Sequence, residues 1–152
     1  MLCSGAAVRV WRVVREQVLW WLRLARRDLE RAERSLREGD RAAAVFWAQQ
    51  AAEKALKAVL LALKGYFPKT HSIRRLFEEL GSNLGLGREE LEDAYELTQY
   101  YYVARYPDVV EGLPDEVISG RTAERAVAAA RRVVEAAERA VEEASRGDTQ
   151  VG

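Results

Sequence analysis

The fold is decided by residues 44–63, AVFWAQQAAEKALKAVLLAL, which form the middle of a helix predicted over about 41–64. Two rows of apolar side chains recur along this stretch at steps of three, four or seven residues, as on one face of a helix. The small row is Ala44, Ala48, Ala51, Ala55, Ala58 and Ala62, and the larger row is Val45, Ala52, Leu56, Val59 and Leu63. Small side chains in register let a neighbouring helix approach closely. The sequence therefore predicts a central helix with an alanine-lined seam that other helices cover.

The rest of the chain supplies four helices to cover it. Periodic apolar residues predict long helices over about 8–37, 88–104 and 119–145, and a short helix over about 72–80. Gly39 marks the end of the first helix, and Gly65 with Pro68 marks the end of the second. No alternating strand pattern occurs in the sequence. The predicted fold class is all-α: an antiparallel up-and-down bundle of four long helices plus one short helix.

Length and composition indicate one domain. The 152 residues are 49% hydrophobic and 32% charged and include three prolines, which is the balance of a globular helical protein. We expect a single domain over 1–152, with a core over about 8–146 and frayed ends at 1–7 and 147–152. Arginines interrupt the apolar N-terminal stretch, so neither a membrane span nor a signal peptide is expected. The lone Cys3 permits no intrachain disulfide, and we expect a cytoplasmic protein.

Charge is unevenly distributed along a chain whose formal net charge is zero. Residues 1–41 hold ten arginines against six acidic residues, and residues 111–152 hold six basic residues against nine acidic ones. Pairing of oppositely charged helices within the bundle is the favoured explanation, and anion binding is the alternative. Binding in a duplex DNA groove is not expected, because such proteins carry a strong basic excess.

A second apolar line on the first helix, formed by Val13, Trp20 and Leu24, lies off the main stripe of that helix. One face of the bundle cannot bury both lines. Either a neighbouring helix covers the second line or another subunit does, so these residues are a candidate homodimer face.

The polar strip of the central helix holds the first candidate binding residues, Gln50, Glu53, Lys54 and Lys57. Glu53 and Lys57 are spaced i,i+4, which allows an ion pair on one helix face. A solvated face is the default interpretation of this strip.

Arg105 continues the inward stripe of the fourth predicted helix, over 88–104. That stripe is Leu91, Ala94, Tyr95, Thr98 and Tyr102. A permanent charge near a buried stripe needs an anionic partner or an open cleft. The favoured interpretation is an ion pair with a core acid such as Glu53, and the alternative is a pocket in which the guanidinium grips a phosphate. Residues 106–117 form a long connection after it, and loops of this length often cover or form a site.

His71 is the only histidine and lies at the predicted start of the short helix. A neutral imidazole that hydrogen-bonds the backbone there is favoured over a catalytic role. One histidine and one cysteine cannot make a zinc set, Cys3 is far along the chain from His71, and no phosphate loop or di-iron motif occurs. The sequence therefore predicts no catalytic residue, no metal site and no cofactor.

Four strings along the chain carry a family resemblance: ARRDL at 25–29, QQAAEKALKA at 49–58, KTHSI at 69–73 and RYPD at 105–108. In this order and at these separations they resemble the HEPN family, the higher eukaryote and prokaryote nucleotide-binding domain. The resemblance covers roughly 19–144. It adds His71, Arg105, Tyr106 and Asp108 to the candidate nucleotide- or partner-binding residues.

The resemblance also implies what such a bundle does. HEPN proteins are often homodimers, and many microbial ones accompany a separately encoded minimal nucleotidyltransferase, in some cases as a toxin–antitoxin pair. They are associated with nucleotide binding or RNA cleavage. We therefore expect an accessory domain that dimerises and binds a nucleotide, a nucleotidyltransferase, or both.

One departure bears on the enzyme question. HEPN proteins that cut RNA carry an arginine separated from a histidine by about four to six residues. The corresponding positions after Arg105 hold Val110, Glu111 and Gly112, so the sequence predicts that this nuclease motif is missing. RNA cleavage, with His71 and Arg105 brought together by the fold or across a dimer, and a purely structural adaptor are the alternatives.

Overall fold

The computed structural model describes the backbone of residues 5–109 and 111–150, and their side chains except those of 5–13, 107 and 148–150. The helices are α1 (Gly5–Arg37), α2 (Arg41–Lys64), α3 (Ile73–Leu80), α4 (Arg88–Val103), α5 (Pro114–Val117) and α6 (Gly120–Gln150), with a 3-10 turn at Pro107–Val109. The fold is all-α, as predicted. The first helix begins before, and the last ends beyond, the predicted limits of 8–37 and 119–145.

Helix α1 runs antiparallel to both α2 and α6, so α2 and α6 run parallel to each other. A tight turn joins α1 to α2, with Gly39 at a φ of +80°, a backbone conformation that glycine adopts without strain. Between α1 and α6, Arg26 pairs with Glu138 and Glu33 with Arg131, so the contacts run in opposite order along the two helices. The predicted antiparallel up-and-down bundle is confirmed.

The centre of the bundle is α2, which packs against α1, α3, α4, α5 and α6. The seam alanines from Ala44 to Ala58 are fully buried, and the larger row is buried as far as Val59. Leu63 was predicted in that row but is exposed, because α2 ends one residue later and Gly65 turns the chain away. The seam is thus confirmed over most of the helix and fails only in the last turn.

The buried stripe of α4 differs from the predicted one. It consists of Leu91, Ala94, Leu97, Tyr100 and Val103. These three-residue steps rotate the stripe away from the predicted register, so Tyr102 is exposed instead of inward-facing. The chain has tyrosines at all three positions 100–102, so the predicted stripe and the observed stripe each contain one. The sequence pattern therefore did not distinguish the two stripes.

The connection after α4 contains two short elements that the sequence did not predict, the 3-10 turn and α5. Asp115 of α5 fastens this connection to the start of α2. Its Oδ1 accepts a hydrogen bond from the Ala42 amide at 2.9 Å, and its backbone carbonyl accepts one from the Arg41 guanidinium. The connection is therefore anchored at the N-terminal end of α2.

Within the described ranges 5–109 and 111–150, no helix is both long enough and apolar enough to cross a membrane.

Candidate functional site

Three polar side chains surround that of Glu53 on α2. We refer to Gln49, Glu53, Lys57 and His71 as the Glu53 cluster. The Oε1 atom of Glu53 lies 2.8 Å from His71 Nδ1 and 3.1 Å from Gln49 Nε2, and its Oε2 lies 3.2 Å from Lys57 Nζ. The predicted Glu53–Lys57 ion pair is confirmed. The interpretation of this strip as a solvated face is wrong, because both side chains are buried beneath the segment that carries Phe67 and His71.

The start of α3 holds His71 in place. Ser72 caps α3 through its side chain, and the Ile73 amide donates to Thr98 Oγ1 of α4 at 3.0 Å. Gln49 Nε2 also donates to the His71 carbonyl at 3.3 Å. The histidine is therefore fixed between α2 and α4 by backbone contacts on both sides of it. The expected hydrogen bond from the imidazole to the backbone is not found among the described residues, because the ring Nδ1 pairs with the Glu53 carboxylate instead.

The orientation of the His71 ring determines which nitrogen is available. An ionised carboxylate only accepts hydrogen bonds, so Nδ1 donates to Glu53 and the lone pair of the neutral ring lies on Nε2. Among the described residues, Nε2 has no hydrogen-bond partner, and 43% of the side chain is exposed. The ring stacks on Tyr101 with centroids 4.0 Å apart and planes at 16°. His71 is thus an oriented, accessible imidazole beside a buried carboxylate.

Arg105 contacts Tyr101, which in turn stacks on the His71 ring. Its Nη1 donates to the Tyr101 hydroxyl at 2.8 Å, and its Cζ lies 5.0 Å from the centroid of that ring and 5.8 Å from that of Phe46. The side chain is exposed and has no carboxylate partner in the part of the chain that the structure describes. The predicted ion pair with Glu53 is wrong, because α4 ends at Val103 and the Glu53 oxygens are occupied by the cluster.

A second buried carboxylate lies in α1, and we refer to Asp28, Arg31 and Lys54 as the Asp28 cluster. Asp28 is fully buried. Its Oδ1 lies 2.7 Å from Arg31 Nη1, and its Oδ2 accepts a hydrogen bond from Lys54 Nζ of α2. The Arg31 guanidinium stacks over Trp47, with Cζ 4.8 Å from the ring centroid. This cluster joins α1 to the polar strip of α2.

An aromatic row connects the two clusters. It consists of Trp47, Phe46, Tyr101 and His71, with successive centroid distances of 5.1, 6.5 and 4.0 Å. All four side chains are partly exposed. The two clusters together with Arg105 contain four cations and two carboxylates. This group of side chains therefore has a net charge of +2 when His71 is neutral. The row is therefore an aromatic surface in a locally positive environment, which suits a ligand with a base and a phosphate.

The other predicted residues are placed less centrally. Gln50 donates to Gln49 Oε1 at 2.6 Å and so borders the Glu53 cluster. Tyr106 and Asp108 are exposed, and neither side chain contacts either cluster within the described chain. Trp20 and Leu24 are exposed, as a dimer face requires, whereas the side chain of Val13 lies outside the described residues. The described residues contain no group of three metal-ligating side chains.

Comparison with known proteins gives the family of this bundle. The family model of the HEPN domain matches residues 18–140. The chain belongs to the HEPN family. It is similar to the crystal structure of TT1696 from Thermus thermophilus, with 36% sequence identity and a TM-score of 0.74 over 82% of this chain and 98% of that chain. It is also similar to ST0689, an archaeal HEPN homologue, with 33% identity and a TM-score of 0.69 over the same shares. Curated protein sequences gave no match.

Several residues at the centre of this HEPN surface were not predicted as site residues. Asp28 had a signal in the sequence, because it lies between Ala25 and Ala32 on the apolar stripe of α1, where a charge needs a partner. Gln49 likewise lies on an apolar row of α2, where a polar side chain needs a hydrogen-bond partner. Tyr101 had none, since its role depends on the distance to His71 in the folded chain.

Proposed function

We propose that this HEPN domain binds a nucleotide on the aromatic row, with Arg105 and His71 contacting the phosphate. The observation that carries the proposal is the exposed Arg105 guanidinium, which is held against Tyr101 and lacks a carboxylate partner among the described residues. A guanidinium of this kind presents a planar fork of donors that fits phosphate oxygens. The partly exposed rings of Trp47 and Phe46 offer faces on which a base can stack.

Calorimetric titration with AMP and ATP tests this proposal. Arg105→Ala is expected to weaken binding about tenfold, because one charge-assisted contact is lost, while the free energy of unfolding changes by less than about 0.5 kcal/mol. Arg88→Ala is the matched control, since Arg88 is an exposed arginine of α4 that pairs with Glu92. Equal affinities of the Arg105 variant and the wild type would remove Arg105 from the site. Absence of binding to the wild type would remove the proposal.

RNA cleavage is the second candidate, and the Glu53–His71 contact favours it. A neutral imidazole whose Nδ1 is held by a carboxylate can accept a proton at Nε2 from a ribose 2′-hydroxyl as that oxygen attacks the adjacent phosphate. The P–O5′ bond then breaks, which leaves a 2′,3′-cyclic phosphate, and the departing 5′-oxygen takes a proton from water. Arg105 would stabilise the charge that develops on the phosphate oxygens.

Incubation of the purified protein with single-stranded RNA distinguishes this candidate. If His71 is the base, His71→Ala should cleave at least about a hundredfold more slowly than the wild type. Equal, undetectable cleavage by both proteins would discard the nuclease and leave nucleotide binding.

A homodimer and a nucleotidyltransferase partner, as in a toxin–antitoxin pair, are further proposals that rest on the family. Exposed Trp20 and Leu24 support the homodimer, because large apolar side chains on one helix face are typical of subunit interfaces. Sedimentation velocity and co-purification from the native cell measure the two associations. A monomer that retains no partner would exclude both.

A further inference from the structure

The connection between α4 and α6 has an exposed surface that is both apolar and acidic. Residues 106–117 contain four acidic residues and no basic one. Asp115 anchors the connection to α2, and the other three carboxylates are exposed and make no ion pair with any described residue. Three apolar side chains beside them are each at least half exposed. We refer to these six residues as the acidic patch: Asp108, Val109, Glu111, Leu113, Glu116 and Val117.

The first half of α1 exposes a surface of the opposite charge. Trp20 and Leu24 are exposed, and Arg23 and Arg27 lie beside them at three- and four-residue steps, so the four side chains share one face of the helix. Neither arginine makes an ion pair with a described residue. Residues 15–27 hold four arginines and one acidic residue. We refer to Trp20, Arg23, Leu24 and Arg27 as the basic patch.

Both patches lie on the same side of the bundle. On α1, Leu24 is two turns from Arg31 along one line of the helix, and Arg31 stacks over Trp47 at one end of the aromatic row. On α2, the connection is anchored at Ala42, one turn before Phe46 of the same row. The aromatic row therefore lies between the basic patch and the acidic patch.

The two patches of one chain are too far apart to meet. The connection is anchored at the start of α2, and the tight turn before α2 places Arg37 at that same end of the bundle. Between Leu24 and Arg37, α1 rises about 20 Å, at about 1.5 Å a residue. A second copy of the chain can make the contact, because a two-fold axis through this side brings each basic patch onto the acidic patch of the other copy.

We propose that the basic patch of one copy docks on the acidic patch of a second copy, so that a symmetric dimer contains two such contacts. The inference rests on the homodimer of the proposed function and adds the surface that receives α1. Its two arginines pair with carboxylates of the connection, while Trp20 and Leu24 cover the exposed apolar side chains there. Opposite charges around apolar side chains favour this pairing over two basic patches face to face.

Charge reversal of each patch tests the proposal, with the dimer dissociation constant measured by sedimentation velocity. One variant carries Arg23→Glu with Arg27→Glu, and the other carries Glu111→Lys with Glu116→Lys. Each should raise the dissociation constant at least about a hundredfold, because like charges then face each other.

A matched control makes the same charge change elsewhere. Arg75→Glu with Arg88→Glu replaces two exposed arginines of α3 and α4 outside both patches and should leave the dimer intact. Since all the substituted side chains are exposed, circular dichroism spectra of every variant should match that of the wild type.

An equimolar mixture of the two charge-reversed proteins separates this pairing from a general effect of charge. In a mixed dimer, one contact is the wild-type pairing and the other is the same pairing with both charges reversed. The mixture should therefore dimerise with nearly the wild-type affinity, although neither protein does so alone. Native mass spectrometry distinguishes the mixed dimer by its mass.

Three results would each overturn the proposal. If neither charge reversal weakens a wild-type dimer, the dimer uses another surface, and the homodimer itself remains. If the two charge-reversed proteins do not associate when mixed, the patches do not face each other. A monomeric wild type would remove the homodimer and this inference together.

Discussion

Asp28→Leu is expected to lower the free energy of unfolding by about 3 kcal/mol, because removal of one partner of a buried ion pair leaves the other charge uncompensated. The Lys54 side chain is only 20% exposed, so its ammonium has limited access to water once the carboxylate is gone. Arg31 is better solvated and contributes less to the loss. Urea unfolding monitored by circular dichroism measures the change as a shift of the midpoint at constant slope.

Replacement of both partners should restore most of that stability. In the double variant Asp28→Leu with Lys54→Met, no buried charge remains, and apolar side chains of similar size fill the space. We expect it to unfold within about 1 kcal/mol of the wild type. Glu30→Ala is the control, since Glu30 is an exposed carboxylate of the same helix turn. A double variant as unstable as Asp28→Leu would show that Asp28 stabilises the fold through something other than its cations.

Glu53→Leu is expected to cost a similar amount, about 3 kcal/mol, and also to release the His71 ring. Lys57 loses its carboxylate while its side chain is only 10% exposed, and His71 Nδ1 loses its acceptor. The wild type should hold neutral His71 with its proton on Nδ1, and the variant should shift the proton toward Nε2. Because the chain has one histidine, the ring nitrogen signals in NMR spectra report this tautomer directly.

Lys57→Met provides the matched comparison. It removes the cation but leaves Glu53 with two hydrogen-bond donors, Gln49 and His71, so the tautomer should stay as in the wild type. Its stability loss should be smaller than that of Glu53→Leu. If Glu53→Leu leaves the His71 tautomer unchanged, the carboxylate does not orient the ring, and His71 loses its support as a general base.

Helices were predictable here because the apolar period repeats over many turns. The seam of α2 involves small and large residues at consistent steps, and its packing against every other helix follows from that wide arc. The register of α4 was not predictable to the same degree. Because tyrosines occupy three consecutive positions, 100–102, an aromatic side chain faces the core in any register of the helix. Only packing against the neighbouring helices determines that Tyr100 is the buried one.

The sequence predicted some residues that the structure brings together, such as Glu53 and Lys57, but not the contacts that other segments make with them. Spacing along α2 correctly gave the Glu53–Lys57 pair, because both residues lie on one helix. The pattern of one helix does not show which segment will cover it, so the burial of Glu53 by the segment at 67–72 was missed. Likewise, Arg105 was assigned to Glu53 because both are charged residues beside apolar stripes. The chain direction after Val103 instead leads Arg105 outward, over Tyr101.

The position of α2 in contact with all its neighbours has a consequence for how such a domain can change over evolution. Most side chains between Ala44 and Leu61 are buried, so few substitutions at those positions leave the bundle intact. The helix that carries Glu53 and Lys54 is therefore the one least free to vary. New ligand preferences would arise more readily in the segments that approach it from outside, at 65–72 and at 104–106, where exposed residues can be exchanged without loss of the fold.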